Sequence, residues 1–181
     1  MKRRILILFL ILAILSLVSA GTYAYYITLQ PARNVITTGG IQFELLETDG
    51  NGAAFPDTPM VILPGDVVGK EVTVKNTGNH PMYLRIKLTP GVNDPALTAS
   101  NCMALDINEA DWTAKGDYYY YNTVLQPNET TTPLFTQVSF LGDQIGNAYL
   151  GKLFSLDVAV SAVQSQNNGD TPLEAQGYPE V

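Results

Sequence analysis

The chain has 181 residues, 46% of them apolar, with 10 Lys and Arg against 17 Asp and Glu. That acidic balance argues against nucleic acid and against anionic lipid as partners and suits a soluble extracellular protein. A single cysteine, Cys102, leaves no internal disulfide, and a single histidine, His80, excludes the helical two-histidine zinc site of common peptidases.

The first stretch reads as an export signal. Lys2-Arg3-Arg4 precedes an apolar run from Ile5 to Leu15, Leu17-Val18 extends it past Ser16, and the small residues Ser19-Ala20-Gly21 follow. A cationic start, a short apolar core and a small-residue exit are the three parts of a secretory signal. The run of about 14 residues spans roughly 21 Å, short of a bilayer core of about 30 Å. Cleavage is therefore expected, with a retained membrane anchor as the alternative; the membrane is met only through the uncleaved signal. The exit lies after Ala20 or after Ala24. The reading adopted takes 1–24 as the signal, with the cut between Ala24 and Tyr25. No cysteine stands at the exit, so a lipoprotein anchor is not expected. What remains is long enough for one domain with a real core.

Cleavage after Ala24 leaves Tyr25-Tyr26-Ile27-Thr28-Leu29 at the new N-terminus, an apolar, aromatic and β-branched segment with strand propensity. Within 25–40 this strand either closes its own sheet edge or completes the sheet of the next molecule, where main-chain hydrogen bonds and alternate side-chain pockets would hold it.

Beyond residue 40 the pattern is that of strands. Ile41, Phe43 and Leu45 alternate with polar residues, as do Val72 and Val74, then Leu84, Ile86 and Leu88, and then Phe154, Leu156, Val158, Val160 and Ala162. Period two with one polar face marks sheets buried on one side. Turn signals separate the runs: Asp49-Gly50-Asn51-Gly52, Pro64-Gly65-Asp66, Asn76-Thr77-Gly78-Asn79 and Pro127-Asn128-Glu129. The third predicts a hairpin pairing Val72–Lys75 with Tyr83–Leu88. The expected fold is all-β, a jelly-roll-like two-sheet β-sandwich over 41–166. A long loop or short-helix insertion is expected at about 90–116, with two helical turns possible over Asp106–Trp112, and a flexible C-terminal tail over 167–181.

The candidate chemical groups each have a structural reading. Four tyrosines, Tyr118 to Tyr121, put two rings on each face of a strand, giving either a stacking platform with Trp112 or a strand buried on one face and covered on the other. His80 sits in a turn, and no Gly-x-Ser-x-Gly elbow accompanies it. Asp106, Asn108 and Asp111, or Asp49 and Asn51, lack the full calcium-loop pattern and suit turns. Asn128-Glu129-Thr130 fits both a glycosylation acceptor and a turn. Cys102 is read as a buried inert thiol or as a link to another chain. No catalytic, metal or cofactor residue is assigned.

In order and spacing, several segments resemble the TasA/camelysin family of secreted proteins. They are Gly21-Thr22-Tyr23-Ala24-Tyr25-Tyr26, Thr38-Gly39-Gly40-Ile41, Leu63-Pro64-Gly65-Asp66, Val74-Lys75-Asn76-Thr77-Gly78, Gly116-Asp117-Tyr118-Tyr119-Tyr120-Tyr121, Leu125 to Phe135, Gly151-Lys152 to Asp157, and Ala162-Val163-Gln164. The likeness spans the signal to about Asn168. It departs at Ile27-Thr28, where the family commonly has Phe-x-Asp, and at Asn128, where it usually has Gly. The resemblance implies a jelly-roll sandwich whose signal is cut by a SipW-type signal peptidase. It implies assembly into extracellular fibres of a biofilm matrix or cell surface, a head-to-tail homopolymer joined by donated N-terminal strands. The family also carries a metallo-endopeptidase activity through camelysin; a camelysin-like peptidase and a monomeric glycan- or protein-binding module are the alternative readings, and the reading adopted is not an enzyme.

Overall fold

The computed structural model of the chain describes residues 41–56, 60 and 62–181. Its strands are β1 Phe43–Thr48, β2 Val67–Gly69, β3 Glu71–Asn76, β4 Met82–Val92, β5 Met103–Leu105, β6 Trp112–Lys115, β7 Tyr118–Tyr121, β8 Gln137–Phe140 and β9 Phe154–Gln164. All pairings between them are antiparallel.

One sheet has the order β6-β7-β4-β9. The other is assembled from two pieces, β1-β3 and β2-β8-β5. Only Lys70 separates β2 from β3, so 67–76 runs as one rod, and the chain before β8 flanks it. The amide of Lys70 donates to Thr136 O at 3.0 Å, while Leu134 N–H donates to Val72 O and Thr131 N–H to Val74 O, each at 2.9 Å. Pro133 has no N–H to give, which leaves the ladder irregular between Thr131 and Leu134. The turn before it holds Asn128 at φ 66°, the left-handed region that asparagine tolerates in place of glycine.

The two sheets bury one core. Val72, Val74, Val138 and Phe140 come from the first-wound layer, and Leu84, Ile86, Trp112, Val160 and Ala162 from the other. The period-two residues of the sequence are these inward positions, and the fold is the all-β two-sheet sandwich expected.

Three local expectations are corrected. The hairpin of Val72–Lys75 with Tyr83–Leu88 does not form. β3 pairs with β1, while β4 pairs with β7 and β9 in the opposite layer. The Asn76–Asn79 turn is an arch between layers, held by one fully buried side chain: Asn76 Nδ2 donates to His80 O at 2.9 Å and to Leu125 O at 3.0 Å, and Oδ1 accepts the Gly78 amide at 3.0 Å. Residues 106–112 do not make two helical turns. One turn closes, with the Trp112 amide donating to Asn108 O at 3.1 Å, but the other polar groups bond to the segment around β8: the Asp106 carboxylate accepts both the Thr136 and Gln137 amides, at 2.9 and 2.8 Å, and Asn108 N–H donates to Leu134 O at 2.8 Å. The 90–116 excursion thus carries β5 and β6 joined by loops. The third correction concerns the tail and is taken up below.

Asn76→Ala should cost about 1–3 kcal/mol in urea unfolding, since it removes three hydrogen bonds made by a fully buried side chain, although the Leu125 carbonyl keeps the Met82 amide and the Gly78 amide keeps Gln42 O. A loss under about 1 kcal/mol would show that water satisfies the arch equally well.

Candidate functional site: an open apolar end and a strapped outer face

The donor segment Tyr25, Tyr26, Ile27, Thr28 and Leu29, and the cut between Ala24 and Tyr25, lie outside the described residues. What the described part offers is the groove into which a strand could be laid. Among these residues β9 pairs with β4 alone. The amide of Asn93 donates to Leu153 O at 3.0 Å and that of Ser165 to Pro81 O at 3.1 Å. These fix the odd-numbered residues of β9 in the hydrogen-bonded pairs with β4. In an antiparallel ladder the residues between such pairs turn their N–H and C=O away from the partner. Phe154, Leu156, Val158, Val160 and Ala162 therefore present their main-chain groups along the outer edge of β9 while their side chains join the core.

Burial along these positions is uneven. Val160 and Ala162 are buried, whereas Phe154, Leu156 and Val158 are only half-buried. At the Phe154 end the sandwich opens into a groove of about 780 Å³ lined by Val68, Met103, Phe140, Phe154 and Leu156, with Ile62 at its side. Large exposed apolar side chains concentrate there: Met60, Leu63, Leu150 and Leu153 all border it, Leu150 being 73% exposed. Two lysines also border it, and each is paired: Lys70 with Glu47 at 3.0 Å, Lys152 with Asp94 at 2.8 Å. An apolar recess with neutralised rims beside an unpaired strand edge is suited to an added apolar strand.

The described chain begins at the opposite end. Ile41 is in the core, and Gln42 O accepts the Thr77 and Gly78 amides at 3.0 Å. From there to Leu156 is about eight residues of strand, roughly 27 Å. Residues 30–40 can span at most about 36–40 Å. The segment 25–29 is thus long enough to reach the groove of its own sandwich or that of a neighbour.

The outer face of the β6-β7-β4-β9 sheet is a second built surface. Register lays two rows across it: Lys115, Tyr118, Lys87, Ala159 and Thr113, Tyr120, Arg85, Ser161. Arg85 is buried at its centre. Its Nε donates to Ser161 Oγ at 2.9 Å, Nη1 to the Tyr120 hydroxyl at 3.3 Å and Nη2 to Pro179 O at 3.2 Å. Its guanidinium lies 3.8 Å from the Tyr118 ring centre and 4.8 Å from that of Tyr178. Lys87 donates to Val181 O at 3.0 Å and Lys115 to Leu173 O at 3.2 Å. Residues 167–181, expected to be a flexible tail, are therefore packed as a strap over this face. The sequence there is polar and rich in Gly and Pro, but Ala175 and Tyr178 are apolar anchors and the strap's carbonyls satisfy the cations beneath. Burial pushes the Tyr178 hydroxyl far above its ordinary pKa; Tyr120 adds to the rise and Arg85 opposes it.

The other singled-out residues fall into place. Tyr119 and Tyr121 pack on the core side and Tyr118 and Tyr120 lie under the strap, so the run is a covered strand. Trp112 is 1% exposed with its indole N–H donating to Thr132 O at 3.3 Å, which removes the exposed stacking platform. The Asp49 carboxylate accepts the Asn51 and Ala53 amides, both at 2.9 Å, as a turn former. Burial opposes ionisation of Asp106, yet the Thr136 hydroxyl and the two amides outweigh it and hold the carboxyl below its usual range. Cys102 is buried, its thiol directed at Thr98 O. Among the described residues no three His, Cys, Asp or Glu side chains gather as a metal site. The sequence reading missed the groove. Leu63, Leu150 and Leu153, apolar residues inside turn-rich stretches, were the available signal.

Fold and site together define a two-sheet antiparallel β-sandwich with an open apolar end and a strapped outer face. No protein-family model, curated protein or solved structure matches the chain.

Tyr178 is held in its neutral form, so its contribution is complete below the unfolded value of about 10 and is lost as pH rises above it. Raising the pH past about 10 should release the strap, read as faster proteolysis of residues 168–181, and Tyr178→Phe should remove that part of the alkaline sensitivity. Identical profiles for both proteins would contradict this assignment.

Proposed function

We propose that this chain is an exported structural subunit of an extracellular filament, in a biofilm matrix or on a cell surface. In this reading a SipW-type signal peptidase frees Tyr25, and the segment Tyr25–Leu29 of one copy enters the groove of the next, head to tail. The observation that carries the reading is the coincidence of an apolar groove with the outward main-chain edge of β9. A strand laid there pairs with the peptide groups of Phe154, Leu156 and Val158 and covers the half-buried side chains beneath them.

Magnitudes bear on the mechanism. Burying about four large apolar side chains contributes roughly 6–12 kcal/mol gross. Lost freedom on association costs about 4–15 kcal/mol. Side chains alone leave little surplus, so the main-chain ladder and the repetition of the contact along a polymer decide whether the filament holds. The same arithmetic favours a segment of strand-forming residues without charge, as the sequence of Tyr25–Leu29 is.

The test compares the mature chain beginning at Tyr25 with one lacking Tyr25–Leu29, both imaged by electron microscopy. Filaments are expected from the first only, and Leu156→Asp in the otherwise complete chain should abolish them as the deletion does. Normal filaments from the deleted chain, or a mature chain that stays monomeric with its own segment in its own groove, would falsify the mechanism.

A further inference from the structure

The strap has an unusual division of bonds. Within itself it is well tied. Asn168 Nδ2 donates to Gln176 O at 3.0 Å and its Oδ1 accepts the Gln176 amide at 2.9 Å. The Ala175 amide donates to Thr171 O at 3.2 Å, and the Tyr178 hydroxyl to Pro172 O at 3.0 Å. To the sheet it is held by side chains reaching up, from Tyr83, Arg85, Lys87 and Lys115, and by no main-chain ladder. It is a preformed small unit resting on a receptor.

The charges match. Of the six Lys and Arg among the described residues, three (Arg85, Lys87 and Lys115) lie on this one face, and the strap brings Asp170, Glu174 and Glu180. The hinge is short. Ser165, Gln166 and Asn167 alone join β9 to the strap, and Asn167 sits at φ 59°. A short hinge that cannot fold far back on itself favours exchange of an element between identical copies, because the exchanged contacts are those already made within one chain.

We infer that the Arg85–Tyr118–Lys87 face is a receptor for residues 168–181 of a second copy, exchanged reciprocally between two sandwiches lying side by side. The hinge of three residues spans only about 10 Å, so the two outer faces must be adjacent. This contact is lateral and separate from the strand-addition reading, which uses the edge of β9 and the inner side of this sheet.

Two experiments test it on the full mature chain. A labelled peptide of residues 168–181 is titrated into the native chain and into Tyr178→Ala, whose own strap is loosened. The variant should bind at least about tenfold more tightly, the weight of one stacked aromatic and cation contact. Equal binding to both, or binding to neither, overturns the receptor. The second experiment needs no variant. Light and isotope-labelled copies are mixed at high concentration and cross-linked with a carbodiimide that joins lysine to carboxylate. Light–heavy links between Lys115 and Glu174, or Lys87 and Glu180, are expected, and should persist when Tyr25–Leu29 is deleted. Links confined to single copies overturn the exchange, whatever becomes of the filaments.

Discussion

Strand β4 is buried on both faces from Met82 to Ile86, and a strand with two dry faces needs two covers. Met82, Leu84 and Ile86 meet the opposite sheet. Tyr83 and Arg85 point the other way, where among the described residues no further sheet lies. Arg85 sets the terms there. Removing a guanidinium from water costs several kcal/mol unless its N–H groups find acceptors. Ser161 and Tyr120 supply two from the sheet, and the strap supplies the third with Pro179 O and adds the Tyr178 ring. The Glu180 carboxylate, 3.9 Å away and almost fully exposed, adds little beside them. The strap is thus the cover that β4 requires, built from carbonyls and one aromatic ring.

The same sheet runs short of cover in another direction. β9 is eleven residues long, while β2 and β8 across from its start have three and four. The core is complete where β9 faces β3, around Val160 and Ala162, and thins toward Phe154. There the loops carrying Leu63, Leu150 and Leu153 border the space without filling it. Among the described residues this core end is unfilled and the edge beside it unpaired, which is both a hydrophobic and a hydrogen-bonding deficit. The two surfaces therefore have one origin, a central sheet larger than the layers that cover it.

Much of the fold was legible from residues. The alternations at Val72–Val74, Leu84–Leu88 and Phe154–Ala162 named the inward faces correctly, because period two is a local geometric property of an extended chain. Asn128 was legible as a left-handed turn residue, since asparagine tolerates that conformation. The tyrosine run was legible as a strand covered on both sides. The hairpin at Asn76–Asn79 was misread because turn chemistry reports that the chain reverses, and says nothing about whether it returns in the same layer. The buried amide of Asn76, bonded to His80 O and Leu125 O, makes that decision, and Leu125 is far away in sequence. The helical reading of Asp106–Trp112 failed for a similar reason: its competing acceptors and donors lie on Thr136, Gln137 and Leu134.

By itself the sequence determined the all-β class, the inward residues and the turns. These follow from local periodicity, conformational preference and composition. Only the tertiary structure decided which strands are neighbours, that a polar tail is a fitted strap, and that the sandwich is open at the start of β9. Each of these depends on long-range pairing of donors with acceptors and on how far one layer overhangs another. Neither quantity is written in any short stretch of chain.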